Sequence, residues 1–180
     1  MNVLNDISKE TQPGKSTDEL GYTSVYDLLF RDRRHKVRTM LEIGVLKGDS
    51  LRMWKEYFDL ADIYGIDLHT YPQYLDGVFG NRMKVFLADQ SKPEELKKVM
   101  AEIGDMDFIC DDGSHKLEDQ ITSLETLFPF LVPGGVYVIE DLKSIEEIKP
   151  FLAKYDHFFA IPNDKKPESH DGSILAIIRK

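Results

Sequence analysis

From residue 38 to residue 153, short apolar runs alternate with amphipathic segments, and this alternation constrains the fold more than any other feature of the chain. Residues 38–43, 62–66, 83–87, 107–110 and 132–139 read as strands. Residues 50–58, 93–103, 116–127 and 146–153 read as helices; in the first, Leu51, Trp54 and Phe58 recur at helical spacing. Pro93 suits the first turn of its helix, where its missing N–H costs nothing. Such alternation predicts an α/β fold, a mostly parallel sheet with helices on both faces. Two last strands, 158–161 and 173–179, follow one another around a polar hairpin loop and add an antiparallel C-terminal edge, which makes seven strands. A helix over about 24–34 precedes the first strand, with Val25, Leu28 and Leu29 on one face. Residues 1–20 are polar, contain Pro13 and Gly14, and read as an N-terminal arm or lid; 21–180 form a single domain.

In open sheets of this kind, ligands bind outside the carboxyl ends of the strands. Acidic residues gather at those ends here. The segment Cys110-Asp111-Asp112-Gly113-Ser114-His115 closes the fourth strand, and Val138-Ile139-Glu140-Asp141-Leu142 closes the fifth. Asp112 and Glu140 lie one strand–helix–strand unit apart, so two neighbouring strand ends bring them together. Carboxylate oxygens are hard donors suited to Mg²⁺, Mn²⁺ or Ca²⁺. Clustered without a cation, like charges raise one another's pKa. Asp112, Glu140 and Asp141 are therefore candidate metal ligands; the plainer alternative is a set of separate solvent-facing caps. His115, three residues past Asp112, is the candidate general base, because an imidazole titrates near neutral pH. Elsewhere, a lone histidine in this position caps a helix or faces solvent.

The turn after the first strand, Glu42-Ile43-Gly44-Val45-Leu46-Lys47-Gly48-Asp49-Ser50, lacks the Gly-x-Gly-x-x-Gly spacing of a dinucleotide site. By itself it is equally a plain strand–helix turn. Its context points to a nucleoside-type ligand. Strand two ends in Asp67, about 20 residues on, where an acid can hold ribose hydroxyls, and strand three ends in Ala88-Asp89-Gln90.

Charge and composition narrow the partners. A formal net charge of −9 argues against a nucleic-acid substrate, which calls for a basic surface. No apolar run approaches the ~18 residues that span a bilayer, so no membrane partner is expected. No secretory leader is visible at the N-terminus. The single cysteine, Cys110, excludes an intrachain disulfide and fits a cytoplasmic setting.

Taken together, the Glu-Ile-Gly strand end, the Asp-Gln pair, the Asp-Gly-Ser-His segment and the Pro-Gly-Gly…Ile-Glu-Asp run resemble the S-adenosylmethionine-dependent O-methyltransferases. The likeness is greatest to the metal-dependent sugar O-methyltransferases of macrolide biosynthesis and covers residues 15–180. It implies a Rossmann-like methyltransferase fold and a Mg²⁺- or Mn²⁺-dependent transfer of methyl to a hydroxyl of a sugar or other vicinal-diol small molecule, in natural-product or glycan biosynthesis. By the same resemblance Asp112, Glu140 and Asp141 would hold the metal and His115 would be the base. Tyr22, Glu42, Gly44, Ser50, Asp67, Asp89, Gln90 and Asp111 would surround S-adenosylmethionine. Residues 15–22 resemble a lead-in segment that helps cover the cofactor. The macrolide enzymes carry a further N-terminal domain used in assembly and in building the site, whereas this chain reads as starting almost directly at the catalytic domain; this departure leaves a homo-oligomer and the acceptor open. Two readings from other classes stand beside this one: a nucleoside-binding domain with nicotinamide-dependent redox chemistry, and a non-catalytic binding module. The loops 71–82 and 163–171 are expected to touch the acceptor.

Overall fold

The computed structural model describes residues 3–16, 19–69, 82–162 and 174–180. In chain order the elements are α1 (Val3–Thr11), α2 (Tyr22–Phe30), β1 (Thr39–Ile43), α3 (Asp49–Tyr57), β2 (Asp62–Asp67), β3 (Met83–Leu87), α4 (Pro93–Ile103), β4 (Met106–Asp111), α5 (Leu117–Leu127), β5 (Leu131–Leu142), α6 (Ile145–Leu152), β6 (Asp156–Ala160) and β7 (Ile174–Arg179). The seven strands form one sheet in the order β3-β2-β1-β4-β5-β7-β6. β1 to β5 pair in parallel. β7 runs against β5 and β6 on either side, so β6 is the outer strand. This is the α/β architecture expected from the alternating pattern. The chain leaves β1 toward β2 on one side and β4 on the other, which opens a crevice at the carboxyl ends of β1 and β4.

Strand side chains alternate between faces, so the sheet carries two cores. Met40, Ile63, Phe108, Cys110, Val136, Val138, Leu175 and Ile177 face α1, α2 and α3. Their strand neighbours Leu41, Ile66, Ile109, Tyr137, Ile139, Ala176 and Ile178 face α4, α5 and α6. Being apolar on both faces, the central strands read as continuous apolar runs, as buried parallel strands do. The first core is organised around Phe108, whose ring meets those of Tyr26, Phe30, Trp54 and Phe58 at centroid distances of 5.8, 4.8, 5.5 and 6.0 Å. Each edge-on or tilted pair adds about 0.5–1.5 kcal/mol beyond the apolar area it buries.

The N-terminal segment differs from a polar arm. Residues 3–11 form a helix whose Leu4 is fully buried in the first core and whose Ser8 is also covered. Beyond it Lys15 and Ser16 are buried as well. Composition hid this because only one apolar residue of the helix, Leu4, is fully enclosed. The basic residues after α2 are held locally: Arg33 donates to the Leu29 and Gly134 carbonyls, and His35 pairs with Asp59. No helix among the described residues is long and apolar enough to cross a membrane. The loop 163–171 lies outside the described residues, as does the loop 71–82 apart from Arg82.

Phe108→Ala removes the ring at the centre of this cluster. It is expected to lower unfolding free energy by about 3–5 kcal/mol, the range for a large buried aromatic truncation. Urea denaturation at neutral pH measures this directly.

Candidate functional site

A cleft of about 540 Å³ opens at the carboxyl ends of the central strands. Gly44 to Lys47 after β1, Asp67 at the end of β2, Asp112, Gly113 and His115 after β4, and Gln12 to Gly14 from the N-terminal segment line it. A second lobe of about 340 Å³ shares Gly44, Asp67 and Gly113 and continues past Asp89, Gln90, Ser114 and Asp119. Together the lobes lie within the range of small-molecule and cofactor sites.

Several of the expected cofactor residues turn out to shape the cleft's walls. Gly44 adopts φ +88, and a Cβ there would stand 2.1 Å from the Asp112 carbonyl oxygen. Its glycine is thus required by the close approach of the two strand ends, independently of any ligand. Asp67 Oδ2 accepts from Val45 N at 2.8 Å and Leu46 N at 3.0 Å, while Oδ1 accepts from His69 N. It braces the glycine turn and faces the cleft. Asp89 Oδ1 accepts from the backbone and hydroxyl of Ser91, fixing the turn into α4. Gln90 is buried and bridges Asp111 to Ser114 N.

Asp111 and Glu42 are fully buried and line neither lobe. Asp111 points to the face opposite Asp112 and accepts from Ser123, Gln90, Tyr137 and Gly113 N. Burial pushes its carboxyl up to about 6 against those hydrogen bonds. It reaches the cleft through Gln90 and the Gly113 backbone, both of which line it. Glu42 accepts from Ser50 Oγ at 2.6 Å and Trp54 Nε1 at 3.1 Å, and burial pushes it up to about 7. Ser50 borders the cleft, but its hydroxyl is committed to Glu42.

At the rim, ligand atoms of Asp112, His115 and Asp141 lie within 4.8 Å of one another. His115 Nε2 stands 4.0 Å from Asp112 Oδ1 and 3.8 Å from Asp141 Oδ2. Its Nδ1 is buried without a hydrogen-bond partner among the described residues. The two carboxylates of this set suit a hard divalent cation such as Mg²⁺ or Mn²⁺, whereas the imidazole is a softer donor. His115 (φ 55) and Asp141 (φ 53) both take left-handed backbone, unusual outside glycine. At Asp141 the reason is visible. Successive strand residues point to opposite faces, yet the pairing of β5 with β7 shifts between Ile139 and Leu142. That irregularity turns Asp141 back toward Tyr22, whose hydroxyl donates to Asp141 Oδ1.

Glu140 stands apart from the expected trio. Its carboxylate is fully covered, accepting from Lys15 and Tyr26, with Cys110 Sγ 3.3 Å away. Lys15 also donates to Asp112 Oδ2 at 2.6 Å and lies 3.8 Å from Glu42. Burial alone would lower the lysine's pKa, but the surrounding acids raise it well above the ordinary value, so it stays charged. Sequence reasoning assigned the neutralising charge to a metal and missed this ammonium. The signal for it was slight: a lysine inside the lead-in segment that carries the family resemblance.

A methyltransferase-domain family model matches residues 41–142, more than half of the chain. The chain belongs to this methyltransferase family. It is 39% identical over 130 residues to the 8-demethyl-8-alpha-L-rhamnosyl tetracenomycin-C 2'-O-methyltransferase of Streptomyces olivaceus, covering 68% of this chain and 33% of that protein. To the demethylmacrocin O-methyltransferase of Streptomyces fradiae it is 39% identical over 146 residues, 77% of this chain and 36% of that protein. The chain thus spans about a third of the length of these curated relatives. Among solved structures, the MycE methyltransferase of the mycinamycin pathway, in complex with Mg and SAH, superposes with a TM-score of 0.77 at 27% identity, covering 98% of this chain and 54% of that one. The methyltransferase domain is therefore of the Rossmann-like type, with its cleft at the strand ends where that fold binds ligands.

Gly44→Ala is expected to disrupt the methyltransferase domain more than Gly134→Ala. Both positions have left-handed backbone, but only at Gly44 does a Cβ meet backbone. The Gly134 change carries the conformational cost alone, about 1–2 kcal/mol. Thermal melts of the two variants, with S-adenosylhomocysteine titrated into each, compare them.

Proposed function

We propose that this domain transfers the methyl group of S-adenosylmethionine to a hydroxyl of a sugar or other vicinal-diol small molecule, with Mg²⁺ or Mn²⁺ bound by the acids at the ends of β4 and β5, Asp112, Glu140 and Asp141. One observation carries the reading: Asp112 and His115 line the cleft and also belong to the cation-type cluster, so the two sites share a wall. The relatives' printed activities, O-methylations of glycosylated natural products, support the acceptor class.

When bound, the cofactor supplies an electrophilic methyl, and the divalent cation supplies charge that lowers an acceptor hydroxyl's pKa. The chain's own residues orient and move the proton. Asp67 and Gln90 face the lobes where the nucleoside would lie, with Gln12 to Gly14 as the outer wall. Asp112 and Asp141 each present one oxygen toward His115. His115 Nε2 would take the proton of the acceptor hydroxyl during methyl transfer and pass it on to solvent. A single nitrogen cannot hold a cation and accept this proton at once, so the two roles for His115 are experimentally separable. Holding the reactants in line contributes much of the acceleration.

With labelled S-adenosylmethionine and a panel of glycosides and catechols, methyl transfer is expected to stop in EDTA and return with Mg²⁺. Full activity in EDTA refutes the metal role. In the same assay His115→Ala is expected to cut turnover by about 10²–10⁴ with Mn²⁺ affinity little changed. If affinity falls in parallel, the imidazole is a ligand and another group is the base.

A further inference from the structure

The parallel register turns one carboxylate into the second core. Ile109 is paired with Tyr137 and Asp111 with Ile139, so Asp111 shares the face of those three core residues. Asp111, Tyr137 and Ser123 of α5 are all fully buried. A carboxylate in that setting is costly unless donors surround it. Four do. The Ser123 and Tyr137 hydroxyls donate to Oδ2, while Gly113 N at 3.3 Å and Gln90 Nε2 at 3.1 Å donate to Oδ1.

Two of those donors, Gln90 and Gly113, also line the second lobe of the cleft. The Gln90 amide is held at both ends: Nε2 donates to Asp111, and Oε1 accepts from Ser114 N at 2.6 Å. Turning the amide over would set its oxygen against the carboxylate and its N–H groups against the Ser114 N–H, so Asp111 decides which end of Gln90 lies where. The close fit requires glycine at 113, where a Cβ would stand 2.0 Å from Gln90 Oε1. The same helix holds this wall a second time. Ser114 Oγ donates to Asp119 Oδ2 at 2.7 Å, and Asp119 lies one turn before Ser123 on the same face of α5.

We propose that Ser123 is a positioning residue for the cofactor: its hydroxyl fixes the Asp111 carboxylate, which sets Gln90 and the Gly113–Ser114 backbone as the wall of the second lobe. This rests on the reading given above that the lobe takes the nucleoside of S-adenosylmethionine. Ser123 lines neither lobe, so it acts through Asp111. The physical basis is preorganisation. A carboxylate with four donors has a fixed torsion, and a hydroxyl donating to a charged acceptor is among its stronger restraints. Without that hydroxyl the wall loosens, and the ligand must order it again on binding. The loss falls on cofactor binding rather than on proton transfer, because Asp112, His115 and Asp141 form a separate cluster at the rim.

The test is calorimetry of S-adenosylhomocysteine binding to the full chain, without metal or acceptor, joined to methyl-transfer kinetics with a glycoside that the wild type methylates. Ser123→Ala is expected to weaken S-adenosylhomocysteine about 10-fold, as for loss of a hydrogen bond to a charged group. The KM for S-adenosylmethionine is expected to rise in parallel, with kcat within about 2-fold of wild type. Leu124→Ala, beside it in the second core, is the structural control: it is expected to melt lower and bind S-adenosylhomocysteine as wild type does. A Ser123→Ala affinity within about 2-fold of wild type overturns the proposal. So does equal weakening in Leu124→Ala, or a fall in kcat with KM unchanged. Gln90→Ala tests the underlying reading separately. Wild-type affinity in Gln90→Ala removes the nucleoside from this lobe, whereas weakened binding there with Ser123→Ala unaffected overturns the positioning role alone. If Ser123→Ala does not fold, Tyr137→Phe takes another donor from the same carboxylate and carries the same expectation and the same refutation.

Discussion

The site depends on a row of acids that the sheet register forces together. β1, β4 and β5 are adjacent and parallel, so the acids near their carboxyl ends cannot avoid one another. In a dry interior such a row is unstable unless a positive charge joins it. Lys15 provides that charge, and much of the local structure follows from its placement. The N-terminal segment must lie across the strand ends to deliver it, and Leu4 in the first core holds the preceding helix in place. Gln12, Pro13 and Gly14 then become a wall of the cleft.

The aromatic core beneath the cluster serves the same arrangement. Tyr26 packs edge-on to Trp54 at 4.9 Å and presents its hydroxyl to Glu140. Trp54 gives its indole N–H to Glu42. Two large side chains therefore stabilise the domain through their rings while satisfying the buried acids through their polar ends, the usual use of such residues. Removal of Phe108 would loosen the packing that aims both donors.

The opposite face handles its acid differently. Among the described residues no cation pairs with Asp111; Ser123, Gln90, Tyr137 and Gly113 N surround it with donors instead. Gln90 links that network to the lobe expected for the nucleoside. The two faces of one strand end thus separate the chemistry, with cation-type donors on one side and a hydrogen-bonded frame on the other.

Much of this was legible in the residues. The alternation of apolar runs predicted the order of strands and helices from β1 to β7, because a buried parallel strand and an amphipathic helix leave different periodicities. The carboxylates after β4 and β5 marked the strand ends where ligands bind. What the sequence could not decide was direction. Asp111 and Asp112 are neighbours in the chain but face opposite sides of the sheet. Glu140 and Asp141 should do the same, and an irregular pairing with left-handed backbone at Asp141 turns it back toward Tyr22 and His115. Nor could local pattern place Lys15, a single cation in a polar stretch, 97 residues from Asp112 and 125 from Glu140. By itself the sequence determined which elements form from α2 onward and which acids lie at their ends. Tertiary structure alone decided which oxygens face the cleft and which charge balances them, because both depend on contacts between residues far apart in the chain.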